Sequence, residues 1–261
     1  MKRIAKHITS GANPLYADLK KQTAEPRARR KDGVAILDGA HLLGAALDAG
    51  LIPDLVAVAD SRAETPEIAG LLARLPERAV MILPDALAHA LSTVETPTGL
   101  IARIAIPPAR ETTGAAILLD GVQDPGNVGT MLRTAAAAGL KAAYLSAGCA
   151  EAWSPKALRA GMGAQFALAI HEHADLKAII AGNPARVLAT DLQATRSLYD
   201  VALPDDCQFL FGNEGAGLPP ELAQAAGLSV RIPMPGRAES LNVAASAAVC
   251  LFEWVRQQQA K

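Results

Sequence analysis

The segment "ILLDGVQDPGNVGTMLRTAAAAG", from Ile117 to Gly139, decides how the second half of the chain is interpreted. Its apolar run ends in Asp120, a turn rich in glycine, proline and asparagine follows, and a helix-like pattern begins after that turn. A strand, a glycine-rich loop and a helix in this order are typical of phosphate-binding sites, because backbone N–H groups at a helix N-terminus attract anions. The segment therefore raises the question of whether this loop binds a nucleotide.

The spacing of the glycines in this loop differs from both common nucleotide-binding fingerprints. A dinucleotide site needs G-x-G-x-x-G and an acidic residue about twenty residues further on. The glycines here are Gly121, Gly126 and Gly129, and the next predicted strand ends in "YLSAG", without an acid. The G-K-[ST] of a P-loop occurs nowhere in the chain. A dehydrogenase and a P-loop NTPase are therefore disfavoured.

The helix of this segment is predicted from Val128 to Ala138. Asn127 stands at its expected start, where the side chain can cap backbone N–H groups. Arg133 follows six residues later, just under two turns along, and is expected near the same face of the helix. Taken alone, such an arginine is typical of a solvent-facing side chain.

Apolar and helix-like segments alternate through most of the chain. In residues 33–90, "VAILD", "DLVAVAD" and "AVMIL" predict strands separated by helices, and the alternation resumes near residue 115. This pattern is typical of an α/β fold with a mostly parallel sheet covered on both faces. Residues 92–114, between the two regions, are rich in Thr and Pro. The sequence therefore predicts a first domain at residues 1–106, a linker at 107–114 and a second domain at 115–261.

The composition restricts the partners and the compartment of the protein. Aromatic residues make up 3% of the 261-residue chain, too few for the stacking platforms of single-strand binders. Three cysteines without a C-x-x-C pair predict neither a disulfide scaffold nor a metal site, and they favour a reducing cytoplasm. The N-terminus lacks the apolar core of a signal peptide, and the longest apolar run, Leu241 to Phe252, is too short to cross a membrane. A cytoplasmic protein with no membrane partner is expected.

The N-terminal region is strongly basic, although the net charge of the chain is −1. Residues 1–31 contain nine basic and two acidic residues, a formal charge of +7, which leaves −8 for the remainder. This asymmetry predicts either a region that binds a polyanion or a solvated terminus, and the charge alone does not distinguish the two.

Two further polar loops follow apolar runs later in the chain. "FLFGNEGAGLPPEL", from Phe209 to Leu222, places Glu214 just after such a run. "IPMPGRAESLNVAASAAVCLFEW", from Ile232 to Trp254, places Ser240 and Asn242 before the terminal helix. Singly, these residues are typical of tight turns and helix starts. Open α/β sheets bind ligands at the carboxyl ends of their strands, so the three loops together indicate a functional site.

The three loops together resemble the motifs of a known family. "DPGNVGTMLRTA", "FGNEGAGL" and "IPMPGRAESLNVAASAAVCLFE" resemble the three ordered motifs of the SpoU-type (TrmH-like) RNA ribose methyltransferases of the SPOUT superfamily. The N-terminal segments "ITSGANPLYADLKKQ" and "VAILDGAHLLGAAL" resemble that family's substrate-binding domain, which is similar to a small ribosomal RNA-binding protein. The resemblance covers nearly the whole chain. Thr130 and the segment "TAAAAG" after Arg133 depart from the family pattern without removing a proposed catalytic group.

This resemblance implies a fold and an activity. The second domain would be an α/β trefoil-knot methyltransferase that forms a homodimer through the knotted region, and the first a small α/β RNA-binding domain. The protein would use S-adenosylmethionine to methylate a ribose 2′-hydroxyl in RNA, with ribosomal RNA favoured over transfer RNA and no DNA partner. Two alternatives stay open: a transfer RNA methyltransferase, and a non-catalytic RNA-binding or ribosome-assembly protein that keeps the fold.

The resemblance also assigns residues to the site. The residues assigned to catalysis are Arg133, Asn127, Glu214, Ser240 and Asn242. The residues assigned to the cofactor are Thr190, Leu210, Gly212, Ile232 and Leu241, and no metal is expected. Arg133 is expected to bind the phosphate beside the reacting ribose and to lower the cost of the alkoxide, while the other four catalytic residues orient Arg133 and the ribose. Phosphate contacts in the basic region are expected from Asn13, Lys20, Arg27, Arg29, Arg30 and Lys31.

Overall fold

The computed structural model describes residues 6–76 and 80–260. In chain order, these residues form β1 (Lys6–His7), α1 (Pro14–Ala24), α2 (Pro26–Asp32), β2 (Val34–Asp38), α3 (Ala40–Asp48), β3 (Leu55–Ala59), α4 (Pro66–Ala73), β4 (Val80–Leu83), α5 (Asp85–His89), β5 (Leu100–Ala105), β6 (Ala116–Leu119), α6 (Pro125–Ala137), β7 (Ala142–Leu145), α7 (Pro155–Gly161), β8 (Ala169–His171), α8 (Leu176–Gly182), β9 (Val187–Thr190), β10 (Gln208–Phe211), α9 (Pro220–Ala225), β11 (Leu228–Val230) and α10 (Val243–Gln259). Lys2 and Arg3 of the basic region, and Ala79 of the predicted strand "AVMIL", lie outside the described residues. Within the described ranges, no helix is long and apolar enough to span a membrane.

The chain divides into two compact units. The first unit runs to Pro108 and also contains Trp153–Phe166, whereas the second contains Ala109–Ala152 and the chain from Ala167 onward. The sequence-based division placed residues 153–166 in the second domain. In the first unit α7 packs against β2, and a helical pattern alone does not reveal which sheet a helix covers.

The first unit is built on a five-stranded sheet with the order β1-β4-β3-β5-β2. β1, β4 and β3 are parallel, and β5 is antiparallel to both of its neighbours. Tyr16 and Leu19 of α1 belong to its core, with 2% and 0% of their surface exposed. Most of the basic region is therefore folded into this unit, which disfavours the alternative of a solvated terminus for residues 14–32.

The second unit is built on a six-stranded sheet with the order β11-β9-β10-β6-β7-β8, and every strand pair in it is parallel. The predicted α/β fold with a mostly parallel sheet is confirmed. The chain runs from β6 outward to β8 and then crosses to β9, β10 and β11 on the other side of β6. The strand order therefore reverses between β6 and β10, and open α/β sheets bind ligands outside the carboxyl ends of the strands at such a reversal.

The start of α6 differs from the prediction. The helix begins at Pro125, three residues before the expected Val128, because proline fits a first helical position whose N–H group has no partner in any case. The Asp124 side chain caps the helix by accepting hydrogen bonds from the N–H groups of Gly126 and Asn127, at 2.6 and 3.1 Å. Asn127 is therefore the third residue of the helix, and its side chain is free for another role.

Candidate active site

The site lies where the loops after β6 and β10 leave the same edge of the second sheet. Leu119, the last residue of β6, pairs with Phe211, the last residue of β10. Residues 120–127 comprise the loop after β6 and the first three residues of α6, and together they are called the first loop. They and residues 212–217, the second loop, therefore start side by side. A third loop, residues 232–242, precedes α10.

Glu214 joins the second loop to the first. Its Oε1 accepts hydrogen bonds from Asn127 Nδ2 at 3.0 Å and from the N–H of Asp124 at 3.1 Å, and its Oε2 accepts from the N–H of Gln123 at 3.2 Å. Partial burial alone would raise the pKa of Glu214. The hydrogen bonds from the Asn127 amide and from backbone N–H groups outweigh that effect and lower the pKa below the ordinary carboxyl value. Glu214 is thus held as an anion.

Asn242 connects the third loop to the same group. Its Nδ2 donates to Asn127 Oδ1 at 3.1 Å, while its Oδ1 caps α10 by accepting from the N–H groups of Ala244 and Ala245 at 2.9 and 3.3 Å. The Asn127 amide therefore donates to Glu214 and accepts from Asn242. Three of the predicted catalytic residues, one from each loop, form a continuous hydrogen-bonded chain.

Arg133 lies outside this chain. It is exposed on α6 and makes no hydrogen bond or ion pair with the residues that the structure describes. Six residues along an α-helix rotate the side chain by about 600°, so Arg133 leaves the helix about 120° around the axis from Asn127. The expectation that the two residues lie near one face is not met, because six residues are well short of two full turns.

A cavity of about 190 Å³ opens between the second and third loops and the end of β9. Six of the predicted site residues line it: Thr190, Gly212, Glu214, Ile232, Ser240 and Leu241. Leu210 does not, because it lies inside β10 with 0% of its surface exposed. Its carbonyl accepts the Thr190 hydroxyl at 3.3 Å, so Leu210 supports the wall of the cavity rather than facing into it.

The cavity combines apolar side chains with backbone that can approach a ligand closely. Leu218 and Met234 contribute apolar surface, and fully buried Val230 lies behind it. At Gly212, a Cβ atom would overlap the carbonyl group of Gly217, so the turn of the second loop requires glycine there. In the third loop, residues 232–241 make no hydrogen bond with any described residue. Backbone N–H and C=O groups need partners when they are covered, so those of this loop are available to a ligand.

Two residues near the site were not identified from the sequence. Asn213 Nδ2 donates to the carbonyl of Gly121 at 2.8 Å, and Ser146 Oγ accepts from the N–H of Gly121 at 3.1 Å. Asn213 lies within the segment "FGNEGAGL", directly before Glu214. Ser146 follows β7 directly, and its position at the carboxyl end of a parallel strand beside β6 was the signal that could have found it.

Most of the residues predicted to contact phosphate lie at the surface of the first unit. Lys20, Arg27, Arg30 and Lys31 are exposed. The Asn13 side chain caps α1 by accepting from the N–H of Leu15 at 3.0 Å.

Arg29 departs from its predicted role. It is only 6% exposed, and its Nη1 donates to the carbonyls of Gln22 and Thr23 at 2.9 and 3.2 Å. The prediction that Arg29 contacts phosphate is therefore wrong, because its guanidinium satisfies carbonyls at the C-terminal end of α1.

Comparisons with known proteins show the family of the chain. The model of the SpoU rRNA Methylase family matches residues 114–252. The chain is 33% identical to an uncharacterized tRNA/rRNA methyltransferase of Synechocystis sp., over 97% of this chain and 94% of that protein. It is 32% identical to the 23S rRNA (guanosine(2553)-2′-O)-methyltransferase RlmP of Bacillus subtilis, over 95% and 98% of the two chains.

Solved structures give the same result. An AdoMet-bound rRNA methyltransferase from Sinorhizobium meliloti superimposes with a TM-score of 0.84 at 29% identity, over 97% of this chain and 98% of the other. An RNA 2′-O ribose methyltransferase superimposes with a TM-score of 0.82 at 30% identity, over 97% and 99% of the chains. The fold is thus that of the SpoU-type methyltransferases. The chain belongs to the SpoU rRNA methylase family, which confirms the resemblance found in the sequence.

Proposed function

We propose that the protein transfers a methyl group from S-adenosylmethionine to a ribose 2′-hydroxyl of ribosomal RNA. The observation that carries this proposal is the hydrogen-bonded chain of Glu214, Asn127 and Asn242, which joins three loops beside a cavity. Family membership supports the reaction, and the relative from Bacillus subtilis is named as acting on a guanosine 2′-O of 23S rRNA.

The lining of the cavity suits S-adenosylmethionine, whose adenine has flat faces that pack on apolar side chains and whose other groups are polar. Leu218 and Met234 give the apolar wall, and the third loop offers backbone groups that have no partner among the described residues. Thr190, Gly212, Ile232 and Leu241 would hold the cofactor, with Leu210 supporting them from behind. Ser240 also lines the cavity, where it would help to orient the ribose. When bound, the cofactor supplies a methyl group on a sulfonium, and the protein supplies position and orientation.

The protein's own groups act mainly by positioning, since much of the barrier to transfer between two bound reactants is removed by orienting them. Glu214 is a poor general base, because its pKa is lowered and both carboxylate oxygens already accept hydrogen bonds. It fixes the first loop and Asn127 instead. A guanidinium is a very poor base, so Arg133 binds the phosphate next to the reacting ribose and stabilises the alkoxide while the hydroxyl proton passes to solvent water.

The first unit supplies the RNA affinity in this proposal. Exposed Lys20, Arg27, Arg30 and Lys31 give it positive charge on or beside two helices. Such contacts give salt-dependent affinity and little sequence information. Asn13 stays a candidate for the same surface, whereas Arg29 does not. The likeness of this unit to a small ribosomal RNA-binding protein is part of the proposal and rests on its sequence.

Three further proposals follow from the same resemblance. The second unit is threaded as a trefoil knot, which an experimental chain trace tests.

The protein is a homodimer through that unit, and half-exposed Phe252 on α10 offers apolar surface for the dimer interface. A solution mass equal to that of one chain contradicts the dimer. The cytoplasm is the site of action, in keeping with the free thiols of Cys149, Cys207 and Cys250.

Transfer of labelled methyl groups to RNA tests the function. The protein is incubated with labelled S-adenosylmethionine and total RNA, and the methylated riboses are mapped. We expect label in ribosomal RNA. Label confined to transfer RNA favours the transfer RNA alternative, and RNA binding without cofactor binding favours the non-catalytic alternative.

The matched variants are Arg133→Ala and Arg110→Ala, which each remove one exposed arginine from the second unit. We expect Arg133→Ala to abolish transfer while the protein stays folded and still binds cofactor, and Arg110→Ala to behave as wild type. Near-normal turnover of Arg133→Ala removes the assignment of that residue without affecting the reaction itself.

A further inference from the structure

We propose that Asn213 is a positioning residue that sets the first loop, which carries Asn127, against the second loop, which lines the cofactor cavity. The inference deepens the proposed methyl transfer and rests on it. Asn213 precedes Glu214 and lines the same cavity, and its amide uses its two ends on two different loops.

The donor end of the Asn213 amide holds the first loop. Its Nδ2 lies 2.8 Å from the carbonyl oxygen of Gly121 and 3.5 Å from Glu214 Oε2. Gly121 is the residue at which the chain turns out of the sheet after β6, with a φ of +63° that favours glycine. A bond to this peptide therefore fixes the direction in which the first loop departs.

The acceptor end of the same amide shapes the second loop. Its Oδ1 accepts from the N–H groups of Gly215 and Ala216, both at 2.9 Å. The backbone of Asn213 also exchanges two hydrogen bonds with Gly217, both at 3.0 Å. These bonds close the tight turn that brings Gly212 against Gly217 at the cavity wall.

The backbone of Gly121 is held from the other side as well. Its N–H donates to Ser146 Oγ at 3.1 Å, and Ser146 follows β7. A Cβ atom at Gly148 would come within 3.4 Å of the Gly121 Cα, so the chain after β7 lies against this turn. Gly121 is thus held through its N–H by a residue after β7 and through its carbonyl by a residue after β10, and these are the two strands that flank β6.

This arrangement explains why an amide side chain is required at position 213. Asparagine donates with one atom and accepts with the other, so a single side chain can hold both loops at a fixed separation. An aspartate keeps the acceptor and loses the donor, and it would place a carboxylate oxygen against the Gly121 carbonyl and beside Glu214. The two halves of the role can therefore be separated by one substitution of nearly equal shape.

The test uses Asn213→Asp, with Asn183→Asp as the matched control. Asn183 follows α8 in the second unit, lies outside the cavity lining and makes no side-chain hydrogen bond with a described residue. The readouts are the dissociation constant of S-adenosylmethionine, kcat and KM for RNA, and amide hydrogen exchange of residues 120–127 and 213–217.

We expect Asn213→Asp to bind the cofactor with near-wild-type affinity and to exchange normally at residues 213–217, because the acceptor bonds survive. Exchange at residues 120–127 should be faster. The value of kcat should fall by about tenfold to a hundredfold, the scale by which a displacement on the order of 1 Å slows a positioned reaction. Ser146→Ala, a second variant that releases the N–H of Gly121 on the other side of this residue, should loosen the same segment. The control should change none of these values.

The outcomes separate this inference from the proposed function. Unchanged exchange at residues 120–127 in both Asn213→Asp and Ser146→Ala overturns the inference even when the wild-type protein methylates RNA. The inference is also overturned if Asn213→Asp weakens cofactor binding and loses exchange protection to the same extent at residues 120–127 and 213–217. That result indicates a general structural role. If the wild-type protein transfers no methyl group, the proposed function fails, while the exchange experiment still reports whether Asn213 couples the loops.

Discussion

Asn127 and Glu214 stand 87 positions apart in the chain, and their side chains meet in a hydrogen bond of 3.0 Å. The parallel pairing of Leu119 with Phe211 brings them together, because it starts both loops from the same level of the sheet. The contact lies at the point where the strand order reverses. The central polar group of the site is therefore a direct consequence of sheet topology.

Replacement of Glu214 by glutamine should slow methyl transfer by at least about tenfold. Glutamine removes the charge and one acceptor oxygen, so at least one of the N–H groups of Gln123, Asp124 and Asn127 loses its partner, and a charged hydrogen bond is the stronger kind. The control is Glu221→Gln, which removes a carboxylate from exposed α9. The measurement is the initial rate at saturating cofactor and RNA. Equal rates in the two variants contradict the positioning role of Glu214.

Low pH should loosen the first loop, because it protonates Glu214. Its folded-state pKa lies below the ordinary value of 4.5, so its hydrogen bonds stabilise the loop fully above that pH and are lost as the pH falls through the lower value. Amide exchange of residues 120–127, corrected for intrinsic rates, should show extra opening only below pH 4.5. Glu214→Gln should lack this pH-dependent step. The same acid step in that variant means that another group is responsible.

Two glycines of the second loop should respond differently to alanine. A Cβ at Gly212 overlaps the backbone of Gly217, whereas a Cβ at Gly215 meets only Asn213 Oδ1, at 3.6 Å. Gly212→Ala should therefore abolish or strongly weaken S-adenosylmethionine binding, because backbone must shift at the cavity wall. Gly215→Ala should bind nearly as wild type. A calorimetric titration measures both, and equal affinities show that the turn does not shape the cofactor site.

Replacing Arg29 of α2 should affect stability, whereas replacing Arg27 of the same helix should affect RNA affinity. Arg29→Ala leaves the carbonyls of Gln22 and Thr23 without their charged donor, and it should lower the free energy of unfolding by about 2 kcal/mol. Arg27 is exposed, so Arg27→Ala should leave stability within about 0.5 kcal/mol and reduce the slope of log affinity against log salt by roughly 0.7–0.9. Denaturant unfolding and RNA titrations at several salt concentrations measure the two effects. A loss of stability in Arg27→Ala together with a reduced salt slope in Arg29→Ala would contradict the roles given to these two residues.

Much of the fold and of the site could be predicted from local pattern. The strands that begin at Val34, Leu55 and Ala116 coincide with apolar runs in the sequence, because a strand buried on both faces requires such a run. The helix caps Ser154 and Asn242 also follow from local chemistry, as both side chains accept N–H groups of the first turn. The three polar loops were identified because glycine, proline and asparagine mark strand ends in any sequence.

The sequence by itself determined the class of the protein and the residue types of its site, because motifs are short and local. Only the tertiary structure decided that Asn127 bonds to Glu214 and Asn242 rather than capping α6, that Arg29 is buried while Arg27 is exposed, and that Asn213 holds Gly121. The physical reason is that periodicity shows which face of an element is buried, whereas contacts between loops depend on which strands are neighbours. That order is fixed by packing across the whole sheet.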